Sequence, residues 1–182
     1  MDLEKQIETN ITDLDLNRYF PETKSDNHHV IKYSELADVK SIYDLLPKDM
    51  TYKIILIEEQ TNKGHWVCIL RYGRTIEAFD SYSGTIDNEL KYIPELMKRI
   101  LGEDKKHLSR LLKEVKDRQV IYFKKRLQKL QDGINTCGRW VILRILMMKE
   151  FFYTLQDFLD FIQKSVEETG MTTDELVASW IF

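Results

Sequence analysis

The chain has 182 residues, of which 43% are hydrophobic and 31% charged, and its net charge is −3 at pH 7. This length and balance predict a single globular domain over residues 1–182 and exclude a disordered or fibrous chain. The polar N-terminus lacks the apolar stretch of a secretory signal, and the most apolar run, 140–148, is too short to cross a bilayer. We therefore expect a soluble intracellular protein.

The two cysteines cannot form a disulfide framework, although one bridge stays possible.

The predicted strands cluster in the middle of the chain, and the predicted helices surround them. Helical spacing of apolar residues, short β-branched runs and turn residues indicate the boundaries. In chain order, we predict a helix over 34–46, strands over 52–57, 65–71 and 75–79, a largely helical stretch over 87–116, a strand over 119–123, a helix from 137 or 138 to about 153, and helices over 155–168 and 173–180. This order indicates an α+β fold rather than alternating strands and helices.

Local signals set the ends of some of these elements. Ser34 is a suitable N-cap for the first helix, and Pro47 ends that helix. Gly102 is expected to break the long helical stretch in two. The helix that begins near residue 137 carries apolar residues too densely for a surface helix, so we expect it to be central.

His65 begins the second predicted strand, directly after the turn 62–64. A histidine at the edge of a rigid element near the surface suits a general base. Alternation along the strand places His65 on one face with Val67, whereas Trp66 and Cys68 face the other way. A lone histidine is more often structural, so this residue does not decide the function by itself.

Asp80 ends the third predicted strand, fifteen residues after His65. If a short turn joins these two strands into an antiparallel pair, the aspartate lies beside the histidine. The aspartate can then accept the Nδ1 proton of the imidazole and fix its tautomer. Taken alone, an aspartate at a strand end is more often a turn former.

Cys137 lies where a loop is predicted to become a helix. The positive end of the helix dipole stabilises a thiolate, and the Cys137 amide could donate to an oxyanion. Gly138 allows close backbone approach at the same point. Gln131, six residues before the cysteine, could supply a second oxyanion donor. Taken singly, Cys137 could equally be a small buried hydrophobe, and Gln131 an ordinary surface residue.

The ordered motifs GHW, FDS and Q-x5-C-G, within residues 52–148, resemble those of adenovirus-type proteases and ubiquitin-like-protein-specific proteases. The segment 64–84 is most similar in style to proteases of virophages and polinton-like double-stranded DNA viruses. The order histidine, aspartate, glutamine, cysteine differs from that of papain-like proteases, in which the cysteine comes first.

The resemblance implies a cysteine protease and a role for each matched residue. His65 matches the base, Asp80 the third triad member, Gln131 the oxyanion donor and Cys137 the nucleophile. Trp66 matches an aromatic residue that, in the deconjugating proteases, helps form a narrow channel over a glycine pair of the substrate. The implied fold is α+β, with the cysteine-bearing helix packed on a small mixed sheet and further helices around it.

The resemblance also implies a substrate and a place of action. Viral capsid precursors with small residues at the cleavage site are the expected substrate, processed in the host cytoplasm or the virion. Conjugates of a ubiquitin-like modifier are the alternative. We expect no metal and no organic cofactor, and the sequence does not indicate the oligomeric state.

The basic segment 98–129 carries 12 Lys and Arg residues against 4 acids. Because the resembling adenovirus-type proteases are regulated by DNA and a peptide, this segment could contact DNA weakly. A solvated face of a charged helix is the simpler interpretation.

Two other classes stay open at this stage. The chymotrypsin-like viral cysteine proteases share the order histidine, acid, cysteine, but they are all-β and place the cysteine in a tight G-x-C-G loop. A protease-like fold kept only for binding is the other possibility, and the intact set of four candidate residues argues against it.

The remaining candidates are assigned structural roles. His28 and His29 lie near Asp26, yet no second group of ligands has zinc-like spacing. Cys68 is expected to be a buried thiol, and His107 is expected to be exposed. Four aromatic residues of the C-terminal helices are expected in the core: Phe151, Phe152, Phe158 and Phe161.

Overall fold

The structure is a computed structural model that describes residues 2–21 and 29–182. Within these residues a five-stranded mixed sheet has helices on both faces, which confirms the predicted α+β class. The strands are β1 Val30–Lys32, β2 Thr51–Gln60, β3 Lys63–Tyr72, β4 Thr75–Phe79 and β5 Gln119–Tyr122. The α-helices are α1 Leu3–Glu8, α2 Asp13–Tyr19, α3 Ile42–Leu45, α4 Glu95–Leu101, α5 His107–Lys113, α6 Cys137–Phe151, α7 Leu155–Thr169 and α8 Thr173–Trp180, and two 3-10 helices are Tyr33–Ala37 and Ile86–Tyr92. Asp26 and His28, weighed above as metal ligands, lie outside the described residues.

The sheet brings the beginning of one strand next to the end of another. Its strands are ordered β1 to β5; β2, β3 and β4 form an antiparallel meander, whereas β1 and β5 run parallel to their neighbours. In this register, Cys68 of β3 pairs with Phe79 of β4, and His65 pairs with Ile57 of β2. His65 and Asp80 therefore lie at the same end of the sheet, one near the beginning of β3 and the other directly after β4.

The side chains of β3 alternate between two hydrophobic cores, as predicted. Trp66, Cys68 and Leu70 point into the core that also contains the apolar residues of α6 and α7. Val67 and Ile69 point into the opposite core, with residues of α3, α5 and the 3-10 helices. Ten of the fifteen residues of α6 are buried, which confirms that this helix is central.

A fully buried ion pair joins α6 to the sheet. Arg144 interrupts the most apolar run of the sequence, and its Nε and Nη2 donate to the two carboxylate oxygens of Glu77 on β4 at 2.8 and 2.7 Å. Neither side chain has exposed surface. The Tyr72 hydroxyl donates to the same carboxylate at 2.6 Å, and Arg144 also donates to the Tyr153 carbonyl at 3.3 Å. This two-point contact fixes how α6 is placed and rotated on β4.

Replacing Arg144 by Met leaves the Glu77 carboxylate buried without its partner. We expect Arg144→Met to lower the free energy of unfolding by about 3–5 kcal/mol, measured by urea denaturation. The double variant Arg144→Met/Glu77→Gln removes the stranded charge and should recover most of this loss. Arg99→Met, at an exposed arginine of α4, is the control and should change stability by less than about 0.5 kcal/mol. If the single and double variants lose the same free energy of unfolding, the unpaired Glu77 charge is not the cause of the destabilisation.

Two N-terminal helices, which the sequence analysis did not predict, bring a chain segment across the beginning of α6. The second of them starts at a capping box formed by Thr12 and Asp15. Backbone carbonyls of this segment accept hydrogen bonds from residues close to Cys137 and His65. These bonds run from the Asn135 amide to Ile7 at 2.8 Å, from the Arg139 guanidinium to Thr9 at 2.6 Å, and from the Trp66 indole to Ile11 at 3.0 Å.

Gly138 is the second residue of α6, where the Ile11 side chain covers the helix. A Cβ added at Gly138 would lie 2.5 Å from the Ile11 Cβ, so a side chain cannot fit without movement. We expect Gly138→Ala to lower the free energy of unfolding by about 1–3 kcal/mol. In an Ile11→Gly background the same substitution should cost much less, because the Ile11 Cβ and both γ-carbons that obstruct it are gone. Urea denaturation of the four proteins checks this, and an equal cost in both backgrounds would show that another contact excludes the side chain.

Two predicted helical segments are wrong in extent. The segment 34–46 forms a 3-10 helix and then the short α3, because Ser41 and Asp44 make a new capping box between them. The stretch 87–116 forms a 3-10 helix followed by α4 and α5. The break at Gly102 is confirmed: this residue ends α4 with a φ of 75°, a conformation that glycine adopts readily.

The predicted strands are confirmed, with small shifts of their ends. β4 agrees at both ends, whereas β2 and β3 are longer than predicted because they extend into a tight hairpin turn at Asn62. The short strand β1 was not predicted. Among the helices in the described ranges, none combines the length and the apolar character needed to cross a bilayer.

The helices also exclude the all-β fold of the chymotrypsin-like viral cysteine proteases.

Two predictions of exposure are wrong. His107 is buried, because its ring packs against Tyr33 at a centroid distance of 5.8 Å. Phe151 and Phe152 are exposed rather than part of the core, since α6 ends there with Phe152 in a left-handed conformation. Phe158 is fully buried, as predicted.

The basic segment 98–129 does not form one face of a charged helix. It spans the end of α4, all of α5, β5 and the loop that follows. Arg110 donates to the carbonyls of Leu36 and Val39, and Arg118 donates to that of Gly73. These cations hold loops together, and DNA contact through the segment stays a prediction.

Candidate active site

A buried histidine–aspartate pair lies at the end of the sheet. His65 Nε2 and Asp80 Oδ1 are 2.8 Å apart, and the two residues are 6% and 0% exposed. The Tyr82 amide donates to the same carboxylate oxygen at 2.9 Å, and the Tyr82 ring stacks on the imidazole at a centroid distance of 4.6 Å. Asp80 and the imidazole ring are therefore both held in place by the turn that follows β4.

The expectation that Asp80 binds Nδ1 of His65 is wrong, because the hydrogen bond is made by Nε2. Nε2 is the ring nitrogen farther from the backbone, so a histidine that reaches from β3 toward the end of β4 engages this atom. Asp80 therefore leaves the nearer nitrogen, Nδ1, unoccupied, and the Cys137 thiol is near enough to the imidazole to raise its pKa.

Cys137 is the first residue of α6, as predicted, and is 7% exposed. The first four amides of a helix have no partner within the helix, so the amide of Cys137 can donate to a bound group. The fifteen-residue helix also directs the positive end of its dipole at the thiol. Both features favour negative charge at this point.

The charge state of His65 depends on competing effects. Burial lowers its pKa, because burial disfavours the charged ring. The Asp80 carboxylate, through its charge and its hydrogen bond, and then the Cys137 thiol outweigh burial and raise the pKa of His65 well above its ordinary value. The imidazole therefore accepts a proton readily, which suits a base that takes one from a thiol.

The start of α6 is held by α8. The Thr136 hydroxyl, one residue before the cysteine, donates to Asp174 at 2.5 Å, and the Lys129 amide donates to the other oxygen of that carboxylate at 2.9 Å. The loop before α6 is thus fixed at two points. This arrangement keeps the thiol in a defined position relative to the sheet.

A buried glutamine, Gln128, joins the turn after β4 to the loop before α6. Its Oε1 accepts from the Ser81 hydroxyl at 2.9 Å, and its Nε2 donates to the Tyr82 hydroxyl at 3.0 Å and to the Ile134 carbonyl at 2.9 Å. Because these partners directly follow Asp80 and shortly precede the cysteine, the glutamine links the positions of the acid and the thiol.

Gln131 lies in the turn between these fixed points. Its amide donates to the Lys129 carbonyl and its carbonyl accepts from the Ile134 amide, both at 3.1 Å. Its side chain is exposed. The backbone of this residue is therefore held, while its side-chain amide is accessible in the loop that leads into α6.

Trp66 forms part of the wall of a cleft and is 6% exposed. Its indole hydrogen bond to the Ile11 carbonyl holds the N-terminal segment beside the ring. The cleft has a volume of about 390 Å³ and is lined by Leu56, residues 62–64, Trp66 and residues 10–14. Two residues of its wall, Gly64 and Trp66, are the chain neighbours of His65. The part of the wall formed by the N-terminal segment was not predicted.

Three residues at the site form a group that could hold a divalent cation. Within the described residues, one ligand atom each from His65, Asp80 and Glu89 lies within 4.8 Å of the other two. A nitrogen with carboxylate oxygens suits zinc. The existing hydrogen bond between His65 and Asp80 occupies the nitrogen at 2.8 Å, which favours an acid–base pair over a metal centre.

Three residues at this site were not predicted from the sequence: Tyr82, Gln128 and Glu89. Tyr82 follows the FDS motif, and its aromatic character could have suggested a stacking partner for the histidine. Gln128 and Glu89 carry no sequence signal, because their roles arise from contacts between segments distant in the chain.

The comparisons with known proteins give a viral relative. No protein-family model matches the chain, and no solved structure matches it. The uncharacterized protein V9 of Sputnik virophage is 34% identical over 150 residues, which cover 82% of this chain and 79% of V9. This agrees with the virophage likeness expected from the motifs. Identity at this level over most of both chains shows common descent, and the chain therefore belongs to the same family as V9 of Sputnik virophage.

Proposed function

We propose that this protein is a cysteine peptidase with Cys137 as the nucleophile, His65 as the base and Asp80 as the residue that orients the base. The observation that carries the proposal is the buried His65–Asp80 pair at 2.8 Å, with the Cys137 thiol at the start of α6 near enough to the same imidazole to raise its pKa. A thiol at a helix N-terminus, next to a histidine with a raised pKa, is typical of a catalytic site. If the three residues had only a structural role, this arrangement would not be needed.

The first step is attack on a peptide carbonyl. His65 takes the thiol proton on Nδ1, while Nε2 keeps its hydrogen bond to Asp80. The sulfur of Cys137 forms a bond to the carbonyl carbon. Asp80 favours the imidazolium that results, because the carboxylate lies next to it and is shielded from water.

As the sulfur attacks, negative charge develops on the carbonyl oxygen, and two hydrogen-bond donors stabilise it. The amide of Cys137 is one donor, and the side-chain amide of Gln131 is the other. The imidazolium then gives its proton to the leaving amine, the C–N bond breaks and a thioester remains. Water, deprotonated by His65, hydrolyses the thioester and restores the thiol.

Capsid precursors of a small DNA virus are the proposed substrate. The relationship to a virophage protein supports a viral role. The cleft beside Trp66 could receive an extended chain with small residues next to the scissile bond. The finer fold assignment, to the adenovirus-type and ubiquitin-like-protein-specific proteases, belongs to the same proposal and is supported by the central helix that begins with the cysteine.

Cleavage of the capsid precursor by wild type and by Cys137→Ala tests the nucleophile. We expect the variant to lose activity by roughly 10⁴-fold or more, because the attacking sulfur is gone. Cys68→Ala is the matched control: Cys68 is fully buried, and burial, followed by the Glu77 charge, raises the pKa of its thiol well above the ordinary value. This control should retain cleavage.

Equal activity of wild type and Cys137→Ala would contradict the assignment of the nucleophile. Cleavage of a ubiquitin-like conjugate but not of the capsid precursor would move the protein to the deconjugating alternative. Circular dichroism of each variant shows whether a loss of activity reflects a loss of folding.

Two glutamines of the same loop separate catalysis from structure. Gln131→Ala should lower kcat by roughly 10²–10³-fold without changing stability, because its exposed side chain acts only as an oxyanion donor. Gln128→Ala should lower the free energy of unfolding by about 1–3 kcal/mol, because it leaves buried partners without hydrogen bonds. Steady-state kinetics and urea denaturation of both variants check this. Unchanged kcat in Gln131→Ala would contradict its proposed role.

A further inference from the structure

The Asp80 carboxylate is only half satisfied. Its Oδ1 accepts from the His65 ring and from the Tyr82 amide. Its Oδ2 is buried and has no hydrogen-bond partner among the described residues. A buried carboxylate oxygen without a partner is costly, so a donor for this atom is expected nearby.

The Glu89 carboxyl group is close enough to supply that donor. Glu89 belongs to the 3-10 helix after β4 and is 9% exposed, and one of its oxygens lies within 4.8 Å of ligand atoms of Asp80 and His65. It lines a cavity of about 210 Å³ together with His65, Tyr82 and Glu59. An oxygen this close to the Asp80 carboxylate can reach Oδ2 after a side-chain movement, or through one bridging water in the cavity.

The surroundings of Glu89 favour its neutral form below neutral pH. Burial is the main cause and the Asp80 charge the next, and together they raise the pKa of Glu89 to about 7. His65, Lys91 and Arg126 act in the opposite direction. Around the same cavity, Glu59 adds a further acid, and Tyr82 and Tyr92 add two phenols.

We propose that Glu89 is a positioning residue for the His65–Asp80 pair: its protonated carboxyl group donates the hydrogen bond that Asp80 Oδ2 lacks, and its ionisation removes that bond. This inference rests on the proposed peptidase function for its kinetic consequence. As pH rises through about 7, a second carboxylate forms beside Asp80. The donor is lost and the like charges repel, so the orientation of His65 is less well held.

The sign of the linked stability change follows from the same titration. The pKa of Glu89 in the folded protein, about 7, is above its ordinary value of 4.5. Its contribution to stability is therefore fully present below pH 4.5 and is lost as pH rises through about 7. In Glu89→Gln this loss should be absent.

Two variants separate the hydrogen bond from the charge. Glu89→Gln keeps a donor that never ionises, so it should match the wild-type kcat below pH 7 and exceed it above pH 8. Glu89→Ala has no donor and should lose roughly tenfold in kcat across the pH range, with KM little changed. Glu59→Gln, at an exposed acid on the same cavity, should leave the pH profile unchanged. A profile that is the same in wild type and Glu89→Gln would overturn the proposal.

An NMR titration of the His65 ring tests the coupling without a substrate. In Glu89→Gln the second negative charge never forms, so the midpoint of the His65 titration should fall by about one pH unit relative to wild type. Glu59→Gln should leave it unmoved. No shift in Glu89→Gln would overturn the inference whatever the enzymatic activity.

The two readouts distinguish the inference from the proposed function. A shifted His65 titration in a protein that cleaves neither the capsid precursor nor a conjugate would support the coupling and contradict the peptidase. If Glu89→Ala does not fold, the near-isosteric Glu89→Gln still decides the outcome, because its folding is checked by circular dichroism at each pH.

Discussion

The position of the candidate nucleophile relative to its partners depends on one buried contact, the ion pair between Arg144 and Glu77. Glu77 lies on β4, three residues before Asp80, and Arg144 lies on α6, seven residues after Cys137. The ion pair and the site therefore share the same two parts of the chain: β4 with the turn that follows it, and α6. Because the pair binds through two points and both side chains are fully buried, it fixes the helix on the sheet in both translation and rotation.

Around this contact, the site is closed by hydrogen bonds between segments far apart in the chain. Gln128 links the turn after Asp80 to the loop before α6, and Asp174 holds the start of that helix. The N-terminal segment closes the remaining side, where Ile11 packs against Gly138. Each of these contacts removes a way in which the thiol could move away from the imidazole, which is the preorganisation that catalysis by a fixed pair of groups requires.

The fold could be predicted from the sequence where local patterns are strong. The strands β2 to β5 and the last three helices follow from β-branched runs, apolar spacing and turn residues. The helices α1 and α2 were not predicted, because they are short and polar. The segment 34–46 was predicted as one helix, because its apolar residues keep helical spacing across the capping box at Ser41. At the site, strand order brought His65 and Asp80 together as predicted, but the ring nitrogen used and the place of Glu89 depend on side-chain packing that no local pattern encodes.

The central claim is that the imidazole of His65 activates the thiol of Cys137, and covalent labelling tests this most directly. The folded protein is treated with a peptide vinyl sulfone, and the modified cysteine is identified by mass spectrometry in wild type and in His65→Ala. We expect one adduct, at Cys137, which is lost in His65→Ala, while Cys68 is modified only after unfolding. Absence of an adduct at Cys137 in the folded wild type, or labelling that is equally fast without His65, would contradict it.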